Sequence, residues 1–235
     1  MLPAGMISKE NPQPIRIKFK KVGNLQYISH LDLQRTFEKV IIRSGIPAWY
    51  TMGFNPHAKM VFGLPLSVGC QSVCELLDIR ITEYMTFNEI KARLKTALTD
   101  ELDVIEVYEP QMKLTDIGAA RYTLIFETQG ASAELAEKAK ALFESPILME
   151  KKGKAGVKEI DITKMIKSLD CRYDPETDRI VIDTTVSAGQ TETLNPEMIV
   201  TALREQLGFL SADILSEHYS IMREEIYNLN GEAFR

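Results

Sequence analysis

Apolar and polar residues alternate regularly near the start of the chain. From Ile15 to Lys20 each apolar residue is followed by a basic one, the period of two that is typical of a half-buried strand. Side chains alternate across a strand, so this pattern predicts an outward face made of Arg16, Lys18 and Lys20. Similar apolar runs predict further strands at residues 73–81, 102–108, 122–126, 157–162, 179–186 and 213–219.

Helical periods of three to four residues occur between these runs. Ser29 with Asp32, and Thr86 with Glu89, have the spacing of capping boxes at helix starts. The first of these helices has an apolar face and ends near residues 43–44, before a glycine and a proline; the face consists of Leu33, Phe37, Val40 and Ile41. Two more helices are predicted at residues 131–143 and, after Asn195-Pro196, through residue 207.

The order of these elements predicts the fold class. Each half follows the β-α-β-β-α-β order of a ferredoxin-like unit. The sequence therefore predicts an α+β protein of two tandem ferredoxin-like units, with antiparallel sheets and helices on one face. The predicted boundaries are a flexible lead-in at 1–14, a first domain at 15–110, a linker at 111–120 and a second domain at 121–235.

Charge is distributed unevenly between the two halves. The chain has 28 basic and 33 acidic residues, a formal net charge of −5. Residues 14–60 contain eight basic and only two acidic side chains, so this segment carries +6 and the remainder −11. A local excess of cations favours a polyanionic partner, whereas the acidic remainder opposes strong nonspecific binding of nucleic acid.

Composition narrows the classes of protein further. Hydrophobic residues make up 45% and charged residues 26%, as in folded globular proteins. No apolar run is long enough to span a bilayer, and the first 14 residues lack the apolar region of a secretory signal. Three cysteines, Cys70, Cys74 and Cys171, are too few for a disulfide scaffold. We therefore expect a cytoplasmic protein that contacts no membrane.

The same cysteines bear on cofactors. Cys70 and Cys74 have C-x3-C spacing, but Leu77 occupies the position where a radical SAM cluster needs its third thiolate. The spacing also differs from the C-x2-C of a zinc ribbon. We expect both cysteines to be small strand or loop residues, and this chain to hold no iron–sulfur cluster or other cofactor. Walker, Rossmann, serine hydrolase and zincin motifs do not occur either.

Two segments concentrate unusual chemistry, at residues 27–35 and 49–59. They contain two of the three histidines, the only tryptophan and several amide, aromatic and basic groups. One interpretation is structural, with helix capping by Ser29 and Asp32 and a turn at Gly53. A second is catalytic or metal-binding, if His30, Asp32 and His57 converge as acid/base groups or ligands.

The third interpretation is RNA binding. Cations neutralise phosphates while aromatic rings stack on bases, and exposed sheets with both kinds of residue read single strands and loops. The candidate residues for binding RNA or a protein partner are Arg16, Lys18, Lys20, Tyr27, His30, Arg35, Arg43, Tyr50, Phe54, Asn55, His57 and Lys59.

Two long motifs in this region resemble a known family. They read Phe19-Lys20-x-x-Gly23-x-Leu25-x-Tyr27-Ile-Ser-His-Leu-Asp-Leu-x-Arg35 and Gly53-Phe-Asn-Pro-His57-x-Lys59-x-x-Phe62-Gly63-x-Pro65-Leu66. The chain is similar here to the radical SAM-linked protein family of bacteria, strongly over residues 15–110 and more loosely to 220. These proteins are encoded beside, or fused to, a radical SAM protein with a B12-binding-like domain.

The resemblance implies a division of labour with a radical SAM partner. The partner would carry the cluster, and this chain would bind RNA, such as tRNA or rRNA, and present it for modification. A pure docking module for the partner is the alternative. The predicted tandem units also resemble CRISPR RNA endonucleases. Some of those enzymes use a histidine near the first helix, which is where His30 lies in this chain. Their C-terminal glycine-rich loop is missing here. An RNA-processing or metal-dependent enzyme using His30, Asp32 and His57 is therefore the least favoured expectation.

Overall fold

The computed structural model describes residues 6–153, 156–211 and 216–235, with the backbone alone at 151–153. The chain is a mixed α+β fold, and the strands that pair within each unit are antiparallel. It divides into a first unit up to Leu114, which Arg235 joins, and a second unit from Thr115 to Phe234. The division lies within the segment predicted as a linker. None of the helices in these ranges is long and apolar enough to cross a membrane.

The first unit has the predicted order of strands and helices. Its elements are β1 (Gln13–Lys21), α1 (His30–Arg43), β2 (Val61–Gly63), β3 (Cys70–Ile81), α2 (Phe87–Ala97) and β4 (Leu102–Tyr108). Strand β1 lies between β4 and β3, and the short β2 pairs with β3. The core lies on one face of this sheet, where α1 and α2 cover it.

Local signals explain where α1 begins and ends. The Ser29 hydroxyl accepts a hydrogen bond from the Asp32 backbone N–H at 3.1 Å, which satisfies one free donor of the first turn. The predicted apolar residues of the helix are all buried. Gly45 follows with a φ of +61°, a conformation that favours glycine and ends the helix. The predicted capping of α2 by Thr86 is also confirmed, by a 3.2 Å bond from the Glu89 N–H.

The interior of the first unit explains one wrong prediction. Ile15, Ile17 and Phe19 face the helices as expected, but Arg16 is fully buried instead of lying on an outward face. Its guanidinium donates to both carboxylate oxygens of Asp78, at 2.6 and 2.8 Å, and to the Met112 carbonyl at 3.0 Å. A buried charge needs such a partner, and period-two alternation does not reveal it.

Part of the predicted lead-in contacts the first unit. Within the predicted lead-in, Ile7 is buried, and the Lys9 carbonyl accepts a hydrogen bond from the indole N–H of Trp49 at 3.2 Å. Strand β1 begins at Gln13, inside the range assigned to the lead-in. The described part of this segment therefore packs on the first unit.

The second unit contains four paired strands and a separate hairpin. Its elements are β5 (Ile117–Glu127), α3 (Ala133–Leu142), β6 (Leu148–Gly153), β7 (Gly156–Asp161), β8 (Ile166–Asp174), β9 (Arg179–Ser187), α4 (Glu197–Leu207) and β10 (His218–Asn228). The strand order is β10-β5-β9-β8, and β6 pairs only with β7. Strand β5 includes residues 117–120, which the sequence pattern assigns to the linker.

The last strand also differs from its prediction. The sequence predicts a short strand at 213–219, but β10 begins at His218 and continues to Asn228; residues 212–215 lie outside the described ranges. Arg223 lies in the middle of β10 and is buried, with 1% of its surface exposed. A buried arginine followed by two glutamates interrupts the alternation of apolar and polar residues from which strands are predicted.

Candidate nucleic-acid interface

Residues 49–59 fold back on themselves to form a loop, here called the return loop. Tyr50 and Ala58 form an antiparallel bridge, and the Thr51 N–H donates to the His57 carbonyl at 2.9 Å. The Trp49 N–H donates to the Arg80 carbonyl at 2.8 Å, which anchors the loop to the end of β3. Gly53 supports the turn with the predicted positive φ. The return loop is therefore a defined structure fixed to the sheet.

A cleft of about 450 Å³ separates the return loop from the outer face of α1. It is called the α1 cleft here. The helix contributes Gln34, Glu38 and Ile42, and the loop contributes Tyr50, Asn55, Pro56, His57 and Ala58. Volumes of 300–1,000 Å³ are typical of small-ligand sites, and a mixture of apolar walls with a few polar groups is the usual lining. The α1 cleft has both properties.

Helical geometry places a row of cations beside the cleft. Residues four apart lie on one face of a helix, so Gln34, Glu38 and Ile42 form one stripe along α1. The next stripe, one residue further on, is Arg35, Lys39 and Arg43, here called the basic stripe. All three of its side chains are exposed. Arg35 also contacts Asp32 at 3.2 Å, but both side chains are more than half exposed, so this ion pair is weak.

The orientation of His57 follows from its neighbours. Its Nδ1 atom lies 3.1 Å from the Asn55 carbonyl oxygen and 3.2 Å from the Thr51 hydroxyl oxygen. A carbonyl oxygen can only accept, so we assign the ring proton to Nδ1 and leave Nε2 as an acceptor. His57 is held by its own loop and presents one ring nitrogen for a ligand.

The proposed triad of His30, Asp32 and His57 does not assemble as a metal site. Among the described residues, no group of three histidine, cysteine or acidic side chains is arranged to hold a metal ion. The His30 ring instead packs edge-on against Phe62, with 5.1 Å between ring centroids. The hydrogen bond from the Ser29 hydroxyl, followed by Arg35, lowers the pKa of Asp32. These contacts lie at the start of α1, where Ser29 caps the helix.

Two of the predicted aromatic residues are exposed in the first unit. Phe54, at the tip of the return loop, is fully exposed, and its neighbour Met52 has 92% of its surface in solvent. Tyr27, at the end of a 3₁₀ helix (Gly23–Tyr27), is 65% exposed. Lys59 lies over the Trp49 ring, with 5.9 Å from its Nζ atom to the ring centroid. The exposed rings provide surfaces on which bases or an apolar partner can pack.

The strand cations lie apart from this region. Arg16, Lys18 and Lys20 alternate along β1 with the residues that face α1 and α2, so they belong to the opposite face of the sheet. Arg16 is buried, and Lys18 and Lys20 are only partly exposed. The single basic surface that the +6 segment suggests is therefore divided between two faces.

The cysteines are inert. Cys70 and Cys74 are buried residues of β3, as predicted, and Cys171 is buried in β8. Burial raises the pKa of the Cys171 thiol to about 12, so it remains protonated at neutral pH.

The sequence pattern did not predict four residues of α1 in this region: Gln34, Glu38, Lys39 and Ile42. Their only signal is spacing, because 34, 38 and 42 share one helix face and 35, 39 and 43 share the next. The basic spacing could have been found in the sequence. The stripe of Gln34, Glu38 and Ile42 has the residue types of a solvated helix face. Only its position opposite the return loop distinguishes it.

Comparisons with known proteins match this chain to a family but give no activity for it. The model of a family described as "Uncharacterized protein conserved in bacteria (DUF2344)" matches residues 14–196. A crystal structure of a Cbf5-Nop10-Gar1 complex includes a similar chain, with 11% identity and a TM-score of 0.46 over 94% of this chain and 53% of that one. This chain thus spans about half of that one. DyPB from Rhodococcus jostii RHA1 gives 9% identity and a TM-score of 0.20 over 95% and 96% of the two chains. No curated protein matches the chain.

Proposed function

We propose that this chain, which belongs to the DUF2344 family of uncharacterized proteins conserved in bacteria, is a non-catalytic accessory protein that binds RNA. It presents single-stranded or loop segments of RNA, such as tRNA or rRNA, to a radical SAM enzyme in the cytoplasm. The observation that carries the proposal is the basic stripe running parallel to the α1 cleft. A row of cations beside a cleft suits a strand whose phosphates meet the cations while a base enters the cleft.

The other parts of the proposal have separate support. The radical SAM partner rests on the resemblance of residues 15–110 to the radical SAM-linked family. We also infer that both units are ferredoxin-like. The first unit pairs its strands in the order β4-β1-β3-β2, and the second repeats that order as β10-β5-β9-β8 with an inserted hairpin.

The RNA-binding proposal predicts a specific dependence on salt. We expect a variant with Arg35→Gln, Lys39→Gln and Arg43→Gln to bind RNA more weakly, because it loses three phosphate contacts. Each contact to single-stranded nucleic acid contributes about 0.7 to the slope of log affinity against log salt, so the slope falls by about 2. Fluorescence polarisation of labelled RNA at several salt concentrations measures both quantities.

A matched control removes the same charge from the second unit. Lys138, Lys164 and Lys167 are exposed cations there, and their change to glutamine alters net charge equally. We expect this control to keep nearly the wild-type slope. If wild-type protein binds no RNA, or if both triple variants lose affinity equally, the basic stripe is not an RNA contact.

Protein docking is the second candidate function, because Met52 and Phe54 are apolar and almost wholly exposed at the tip of the return loop. Exposed apolar side chains at one point are typical of interaction sites. If the tip docks the radical SAM enzyme, Met52→Ser with Phe54→Ser will abolish co-purification of the two proteins. Val68→Ser with Leu229→Ser is the control, since both residues are exposed elsewhere. Unchanged co-purification of the tip variant would eliminate this function.

A further inference from the structure

We propose that the α1 cleft binds one guanine base of the RNA, with the Glu38 carboxylate accepting hydrogen bonds from guanine N1–H and N2–H. The inference rests on the proposed RNA binding and names the base that this site selects. Three features of the cleft support it: polar side chains without partners, walls suited to a flat ring, and the position of the cations.

The polar groups of the cleft are available for a ligand. Within the described ranges, the side chains of Gln34, Glu38, Tyr50 and Asn55 make no hydrogen bond and no ion pair. Among the described residues that line the cleft, Glu38 is the only acidic one, and Arg35 and Lys39 lie on the same helix. A carboxylate and two amides facing one cleft offer acceptors and donors in the combination that reads the edge of a base.

The carboxylate discriminates among the four bases by hydrogen-bond pattern. An ionised carboxylate has two acceptor oxygens and no donor. Guanine offers two neighbouring N–H donors, N1–H and N2–H, which match the two oxygens. Adenine and cytosine each place an acceptor nitrogen beside their amino group, and uracil places its single N–H between two carbonyls. Guanine is therefore the only one of the four bases that can donate a hydrogen bond to both carboxylate oxygens. Each of the other three places an acceptor atom next to one of those oxygens.

The remaining lining fits the rest of the base. The amide N–H groups of Gln34 and Asn55 are donors for guanine O6. Ile42, Pro56, Ala58 and the Tyr50 ring provide apolar walls for the faces of a planar ring, and stacking on an aromatic side chain is a common means of holding an unpaired base.

The location of charge separates base from backbone. None of the described residues that line the α1 cleft is a lysine or arginine, and Glu38 repels a phosphate from it. The basic stripe begins one residue along the helix from Gln34, so phosphates on either side of the inserted base meet Arg35, Lys39 and Arg43. The cleft thus supplies selectivity, and the basic stripe supplies affinity that depends on salt.

The test uses the full chain and labelled nine-residue uridine RNAs that carry one central guanosine, inosine or adenosine. Inosine lacks the 2-amino group and so loses one of the two hydrogen bonds. We expect the guanosine RNA to bind more tightly than the inosine RNA on the order of tenfold, and adenosine to bind no better than uridine. Polarisation titrations give the affinity of each.

The Glu38→Gln variant should lose the preference for guanosine over inosine. The NH₂ group of the glutamine amide is a donor, so it cannot accept a hydrogen bond from the guanine N–H that it faces. Its affinity for the all-uridine RNA should not fall, since a negative charge has been removed. Glu83→Gln, which alters an exposed carboxylate of the same unit, should keep the preference. Asn55→Asp is a second variant, which should weaken guanosine binding because a carboxylate repels O6.

Failure of the guanine site and failure of RNA binding give different results in these titrations. Equal affinity of wild-type protein for guanosine and inosine RNAs, or a preference that survives Glu38→Gln, would overturn the guanine site while RNA binding stands. Absence of binding to every RNA would overturn RNA binding itself.

Discussion

Asp78→Ala is expected to lower the free energy of unfolding by about 3 kcal/mol, because it leaves the Arg16 guanidinium buried without its counterion. The Arg16 side chain is 1% exposed, and two of its nitrogens donate to Asp78 at 2.6 and 2.8 Å. Arginine cannot release its proton at any ordinary pH, so the charge persists after the substitution. Its bond to the Met112 carbonyl replaces only part of the lost interaction. Urea denaturation followed by circular dichroism measures the change.

Two controls test the cause of this loss. The Arg16→Met, Asp78→Leu double variant removes both charges and should recover most of the stability, since a well-packed apolar pair often replaces a buried ion pair without loss. Asp170→Ala breaks the exposed pair with Lys140, 2.9 Å apart, and should cost less than about 1 kcal/mol. If Asp78→Ala were no more destabilising than Asp170→Ala, the buried pair would not hold the first unit together.

Local signals in the sequence were sufficient for the helices. The capping residues Ser29 and Thr86, the apolar faces of α1 and α2 and the stop at Gly45 each act within one or two helical turns. Such interactions depend on near neighbours in the chain, and a single sequence contains all of them. The predicted element order of the first unit follows from these helices and the alternating strands between them.

Interactions between distant residues were not predictable in the same way. Alternation identifies the two faces of β1, but it does not tell that Arg16 meets Asp78, 62 residues later. Strand β8 has mostly polar residues, and among the described strands it pairs with β9 alone, at an edge of the sheet. A mostly polar segment of this kind lacks the alternation from which strands are predicted.

The candidate site was predicted in part for a similar reason. Tyr50, Asn55 and His57 were identified from their chemistry, and they line the α1 cleft. Gln34 and Glu38 have ordinary residue types for a solvated helix face. They become distinctive only because the return loop folds over that face. Conversely, Lys18 and Lys20 are close in sequence to the site but belong to the other side of the sheet.

Phe37→Ala is expected to lower the free energy of unfolding by about 3–5 kcal/mol and to weaken guanosine binding with it. Phe37 is one of the buried contacts between α1 and the sheet, with ring centroids 4.8 Å from Phe19 and 5.8 Å from Phe62. Its loss leaves a cavity beneath the helix whose other face carries Gln34 and Glu38. The urea concentration at which half of the guanosine RNA binding is lost should therefore fall. The urea concentration at the midpoint of unfolding should fall with it.

Phe37→Leu is the matched control, because it keeps an apolar side chain in contact with the same two rings. Changes that nearly conserve volume usually cost less than about 1.5 kcal/mol, so both midpoints should move little. Two results would contradict this account of α1. One is a Phe37→Ala variant no less stable than Phe37→Leu. The other is guanosine binding that persists at urea concentrations where the first unit of Phe37→Ala has unfolded, because a cleft formed by α1 and the return loop cannot outlast the packing of α1 on the sheet.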